Sequence, residues 1–250
     1  MKNSFRRLLY SLADAVGDRC CPLCCEPLAG TASICPSCLT RLDKEAVIPC
    51  GDCGQPASSC RCPASGLSPL PTFLDGRSWL AHTWYFHVDS DRLTEALLLS
   101  CKRKYSPALS GYIAGVMAEE LAAVLPENTR KGWILTYAPR SVKGFTDYGF
   151  DQCEEIVRQM GRALHIPVRR MLVRVSGEEQ KRMESADHRI SNIAGAFAPV
   201  RVPAGCRILL FDDIITTGAT MREAGRVLAD AGAAAVFPVA FAKTVYTRRR

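Results

Sequence analysis

No apolar run in this chain approaches the length of a membrane-spanning helix, so no transmembrane segment is expected. The N-terminal stretch lacks the hydrophobic region and small-residue cleavage site of an export signal. A cytoplasmic location is therefore expected, with reduced thiols. Histidine is scarce: His82, His87, His165 and His188 show no ligand spacing among themselves, and none is read as a catalyst. Long internal repeats, coiled-coil heptads and low-complexity tracts are also missing, which argues against solenoids and fibrous assemblies. What remains is 250 residues, 48% hydrophobic, enough for one α/β domain plus an appendage.

The most informative stretch is Ile208 to Thr220, ILLFDDIITTGAT. An apolar strand run ends in Asp212 and Asp213, so a sheet edge would present two neighbouring carboxylates. Such a pair can hold a sugar's vicinal hydroxyls or a hard divalent cation. Thr216, Thr217 and Thr220 supply hydroxyl donors. Gly218 lets the loop take φ > 0, so successive N–H groups, Ala219 included, can converge on an anion at the start of the next helix. This order of residues fits a sugar phosphate.

Cysteine is abundant and clustered. Ten of the 13 fall between Cys20 and Cys62, most of them in tight pairs. Cys21, Cys24, Cys35 and Cys38 form two C-x-x-C knuckles that would complete one tetrahedral Zn²⁺ shell; Cys50, Cys53, Cys60 and Cys62 would complete a second. Cys20 and Cys25 flank the first knuckle and compete with Cys21 and Cys24 as ligands. All-thiolate sites are closed, so one or two structural zinc ions are expected. A segment so short would draw much of its folding free energy from the metal.

The stretch 63–71, PASGLSPLP, reads as a linker, giving a cysteine-rich unit over residues 1–70 and a second domain over 71–250. Near the N-terminus, Phe5, Leu8, Leu9, Leu12 and Val16 have helical spacing. They suit a packing helix, with contact at the inner face of the membrane as the alternative. In the second domain, strands are expected at 78–88, 133–138, 168–173, 207–211 and 234–242, alternating with helices at 89–99, 106–125, 151–164 and 220–231. That alternation predicts a mostly parallel sheet with helices on both faces and ligands bound beyond the carboxyl ends of the strands. The net charge of +7 lies wholly in residues 76–250, because residues 1–75 hold seven basic and seven acidic side chains. Such a field attracts polyanionic small molecules and nucleic-acid backbones alike.

Residues Ile208 to Thr220 match position by position the 5-phosphoribosyl-1-pyrophosphate (PRPP) signature of the type I phosphoribosyltransferases. The resemblance implies that Asp212 and Asp213 contact the ribose hydroxyls and that Thr216, Thr217, Gly218, Ala219 and Thr220 wrap the 5-phosphate, with Mg²⁺ arriving on PRPP. It also implies the family's fold, here preceded by a small N-terminal zinc-binding domain. The double C-x-x-C front end, YGFDQCEEIVRQM at 148–160, and Gln180, Arg189, Asn192, Gly195 and Phe197 resemble the ComF family, a zinc finger on a phosphoribosyltransferase domain linked to natural competence. Two positions depart from that pattern: Tyr148 stands where the family has arginine and Asp151 where it has asparagine. Both changes make the expected pocket mouth less attractive to pyrophosphate. Lys102 is the candidate pyrophosphate contact, with a solvated lysine ending a helix as the alternative.

Three functions follow from the resemblance. The chain is an accessory factor that binds PRPP and helps single-stranded DNA enter the cytoplasm with partners of the competence machinery, a transferase with an unidentified acceptor, or a PRPP sensor that docks through its zinc domain. No stretch announces a purine or pyrimidine reader.

Overall fold

The computed structural model describes residues 20–30, 32–45, 80–86, 93–125, 127–175, 193–215 and 218–244. Outside these fall the N-terminal amphipathic segment, the 63–71 linker, the second cysteine set Cys50, Cys53, Cys60 and Cys62, and the loop residues Thr216 and Thr217. Gln180, Arg189 and Asn192, and with them the division at residue 70, fall outside as well.

Four parallel strands make the central sheet: β1 (Leu80–Phe86), β2 (Trp133–Tyr137), β5 (Arg207–Ile215) and β6 (Ala235–Thr244), in the order β1-β6-β5-β2. β5 lies in the middle, and its run of buried residues reflects burial on both faces. Side chains alternate across a strand with period two. Leu209 and Phe211 thus join one core with Leu135 and Tyr137 of β2, while Ile208 and Leu210 join the other.

The first core is roofed by helices α2 (Leu93–Arg103), α3 (Pro107–Val124) and α5 (Gln152–Leu164). α3 starts where Ser106 accepts the Leu109 N–H at 3.3 Å and Pro107 takes the first turn, where no N–H is needed. α5 turns Ile156, Val157, Met160 and Leu164 inward, as their spacing predicts. It ends at His165, whose left-handed backbone (φ 56°) closes the helix. The second core packs α6 (Ala219–Asp230) on the opposite face, through Met221, Ala224, Val227 and Leu228.

The expected strand at 168–173 is split. Val168 bridges the edge of β2 opposite Leu135, and only Leu172–Arg174 (β3) forms a strand, paired antiparallel with β4 (Phe197–Pro199). The short helix α4 (Val142–Tyr148), capped by Ser141, was not anticipated either. β5 runs on to Ile215, past the last β2 partner at Tyr137–Phe211, so Asp212 and Asp213 project beyond the carboxyl end of the neighbouring strand. That is where parallel α/β sheets hold ligands.

The first cysteine set belongs to the same packing. Helix α1 (Pro36–Glu45) starts inside the second knuckle and carries Cys38, and Ile34, Cys35, Cys38 and Leu42 are buried with Leu97, Leu98 and Cys101 of α2 in one core. Ser100 Oγ also donates to the Pro22 carbonyl at 3.5 Å.

Candidate functional site

Asp213 shares the sheet face of Leu209 and Phe211, which turns it under α2 and α5. It is 3% exposed and is held by two side chains: Lys102 Nζ, at the end of α2, lies 3.2 Å from Oδ2, and Gln152 Nε2, in the first turn of α5, donates to the same oxygen at 2.9 Å. Asp212 is half-buried; its Oδ1 accepts the Asp213 N–H at 3.0 Å and lies 3.9 Å from Cys153 Sγ. Burial, with the Asp213 charge next in weight, pushes the Asp212 carboxyl well above the ordinary carboxylate range; Lys102 opposes this only in part. Burial alone would lower the Lys102 ammonium, but Asp213, Cys153 and Asp212 together hold it above its ordinary value. Burial and both carboxylates likewise raise the Cys153 thiol well above the usual range.

Lys102 stands in the last turn of its helix, but it is not simply solvated, because its ammonium is paired to the acid of the signature. Gly218 takes the left-handed conformation (φ 77°) and opens α6, as the signature requires; Ala219 and Thr220 form the first turn. A β-carbon at φ 77° would be strained, which accounts for glycine at this point. Thr216 and Thr217 complete the loop outside the described residues.

The expectation for Asp151 needs correcting. Its carboxylate does not face a pocket mouth: it is 5% exposed and caps α5, accepting from the backbone N–H groups of Cys153 (3.0 Å), Glu154 (3.4 Å) and Arg140 (2.7 Å). Burial pushes the carboxyl above its ordinary value, and the three donors offset part of that cost and of the charge that was expected to repel pyrophosphate. The cation missing at Tyr148 also has a neighbour: the Arg140 guanidinium stacks on the Tyr148 ring at 4.7 Å and on Phe150 at 5.4 Å. Arg140 further donates to the carbonyls of Lys102 (2.7 Å) and Phe150 (3.2 Å), tying the end of α2 to the start of α5. Sequence reasoning gave Arg140, Gln152 and Cys153 no role. Gln152 and Cys153 lie within the quoted 148–160 stretch, directly after a capping acid, and that position was their one signal.

The structure also gathers Cys21, Cys24, Cys35 and Cys38, whose sulfurs lie within 4.8 Å of one another, with Cys24 and Cys35 at 3.5 Å. Four thiolates around zinc at about 2.3 Å stand roughly 3.8 Å apart, so the set fits a zinc ion. The Cys35 N–H points to Cys21 Sγ (3.5 Å) and the Cys38 N–H to Cys35 Sγ (3.4 Å), outer contacts that favour thiolates. Burial opposes ionisation of Cys21, but the N–H groups of Cys35, Leu23 and Cys24 bring its thiol down to about 7. Cys20 and Cys25 are exposed and lie outside the cluster.

Residues 149–249 match the family model of the phosphoribosyl transferase domain. The fold is of the type I phosphoribosyltransferase kind. Solved structures similar to the chain include an allosteric regulatory enzyme of purine biosynthesis (18% identity, TM-score 0.39, covering 57% of this chain and 29% of that one). A phosphoribosylpyrophosphate synthetase from Mycobacterium smegmatis follows at 14% identity and TM-score 0.30, covering 65% and 41%. A purine phosphoribosyltransferase from Pyrococcus horikoshii Ot3, also at 14% and 0.30, covers 57% and 89%. The chain thus spans less than half the length of the first two. No curated protein matches the sequence. The matched residues run from the end of α4 through α5 and β5 to β6 and include the acid pair Asp212 and Asp213. No helix among the described residues is long and apolar enough to cross a membrane.

Proposed function

We propose that the chain is a ComF-type protein whose phosphoribosyltransferase domain binds PRPP and which serves as an accessory factor in handling single-stranded DNA during uptake. One observation carries the ligand: the acid pair stands near the carboxyl end of the central strand, with the left-handed glycine that opens α6 a short loop further along the chain. In this reading Asp212 and Asp213 take the ribose hydroxyls, and residues 216 to 220 surround the 5-phosphate with hydroxyls and N–H groups at a helix N-terminus. Lys102 leaves Asp213 for the pyrophosphate, exchanging one anionic partner for another. Arg140 holds the end of α2 from which it acts.

Mg²⁺ bound with PRPP would supply charge neutralisation on the pyrophosphate. The chain's own residues orient the sugar and aim a cation at the departing group, the two demands of a reaction with an oxocarbenium-like centre. The cysteine cluster supports the ComF reading because it is packed on α2, the helix that carries Lys102.

Titration calorimetry with PRPP and Mg²⁺ tests the ligand. Binding to the parent chain and its loss in Asp213→Asn are expected; no heat with the parent chain removes the proposal. Single-stranded DNA binding with a steep salt slope, and loss of transformation in Asp212→Ala and Cys21→Ser, test the biological role. Normal transformation in both variants rejects it. Pyrophosphate released only when bases or strands are added would mark a transferase instead.

A further inference from the structure

We propose that Cys153, Asp212 and Asp213, with the side-chain carbonyl of Gln152, form a binding site for one thiophilic divalent cation of the Zn²⁺ or Cd²⁺ class. The site is separate from the four-cysteine cluster. The first turn of α5 brings Cys153 Sγ to 3.9 Å from Asp212 Oδ1, and the sulfur and one oxygen of each aspartate lie within 4.8 Å of one another. In a tetrahedral shell, bonds of about 2.3 Å to sulfur and about 2.1 Å to oxygen put two ligands of one zinc ion roughly 3.4–3.6 Å apart. The Cys153–Asp212 pair is close to that separation, and rotation of the Asp213 carboxylate, once Lys102 releases it, brings in the third ligand.

A second observation points to the same place. Gln152 is 6% exposed, its Nε2 already donates to Asp213, and its Oε1 is buried without a hydrogen-bond partner. A buried amide oxygen with no donor is unfavourable; turning the amide over, so that its oxygen rather than its nitrogen faces Asp213, would give it a cation between the carboxylates as partner. The charge count agrees: two carboxylates face a single ammonium, Lys102, at 3.2 Å from one of them. The donor set also selects the metal. Mg²⁺ prefers an all-oxygen shell, whereas a thiolate beside two carboxylates and an amide oxygen suits a borderline or soft ion.

Binding breaks the Cys153 S–H bond, its proton and any held by Asp212 leaving to solvent; a metal–sulfur bond replaces it, and the Lys102 ammonium leaves Asp213. Cys153 is 2% exposed, so the thiol is shielded from competing oxidants while remaining beside the acid pair. Resting on the PRPP reading above, there is a consequence for regulation: metal and ribose need the same two carboxylates, so the cation excludes PRPP.

The test uses the full chain with its cysteine cluster zinc-loaded and Cd²⁺ alone as probe, followed by equilibrium dialysis and by the ultraviolet absorption of the Cd²⁺–thiolate bond. The parent chain should take up one more Cd²⁺ than Cys153→Ala, in which that affinity falls more than about 100-fold, beyond the cost of losing an outer partner. Asp212→Asn should show the same loss, and Lys102→Ala should bind Cd²⁺ at least as tightly as the parent. Cys20→Ala should not differ. Equal stoichiometry and affinity in Cys153→Ala and the parent chain overturn the proposal, and Asp212→Asn repeats the test should the first variant fail to fold. PRPP is absent from these measurements, so their failure leaves the PRPP reading to its own calorimetry. Cd²⁺ binding with no PRPP binding would remove only the competition.

Discussion

Asp151→Ala separates the two roles an acid can have at the head of α5. The carboxylate accepts three backbone donors, two from the first turn of the helix and one from Arg140. Removing an N-cap acceptor costs about 1 kcal/mol, and orphaning the shielded Arg140 N–H adds roughly 1–3 kcal/mol. Together the loss is about 2–4 kcal/mol. For a chain of this size each kcal/mol lowers Tm by roughly 2–4 °C. Urea unfolding is the direct assay: the midpoint should fall with an unchanged slope, because the exposed surface does not change.

Asp151→Asn refines the test. Its carbonyl oxygen can keep the two α5 donors, but its NH₂ then faces the Arg140 N–H, donor against donor. An intermediate loss of roughly 1–2 kcal/mol is expected, with no gain in affinity for pyrophosphate. A charge at the pocket mouth predicts the reverse: unchanged stability and tighter pyrophosphate binding in the asparagine variant. That result would refute the capping argument.

Three further outcomes are expected. Asp212 is held above its unfolded range by burial and Asp213, so the folded state binds its proton more tightly; the associated stability is full below the ordinary carboxylate range and is lost as pH rises through the raised value. Asp212→Asn should accordingly be more stable than the parent near neutral pH, with flatter urea midpoints between about pH 5 and 8, and a less stable variant would contradict this. Gly161→Ala places a methyl 2.8 Å from the Ile166 carbonyl and against Val168; the overpacking should cost about 1–3 kcal/mol in the same assay. Chelating the metal from Cys21, Cys24, Cys35 and Cys38 should lower Tm and weaken PRPP binding together, since Leu42 and Cys38 pack against the helix that carries Lys102 in its last turn; unchanged calorimetry after chelation would uncouple the two.

The parts of the fold that were legible are those where one physical demand dominates. β5 is buried on both faces, so its apolar run announces a central strand, and the 3.6-residue spacing in α5 marks its inward face. The acid pair and Gly218 were legible for a similar reason, since each needs a particular residue type at a particular place. β4 and α4 were missed because three- and seven-residue elements have too little periodicity, and tertiary pairing decides them. Gln152 became a site residue, and Lys102 the partner of Asp213, only when two helices converged there, and no local pattern encodes that meeting. Asp151 is different, because its signal was present. An acid immediately before a helix is a capping candidate before it is a pocket charge. The left-handed turn at Gly149 (φ 77°) and the buried Phe150 bring the chain into position for that cap. At this position the helix start, rather than the departure from the family's asparagine, indicates what the carboxylate does.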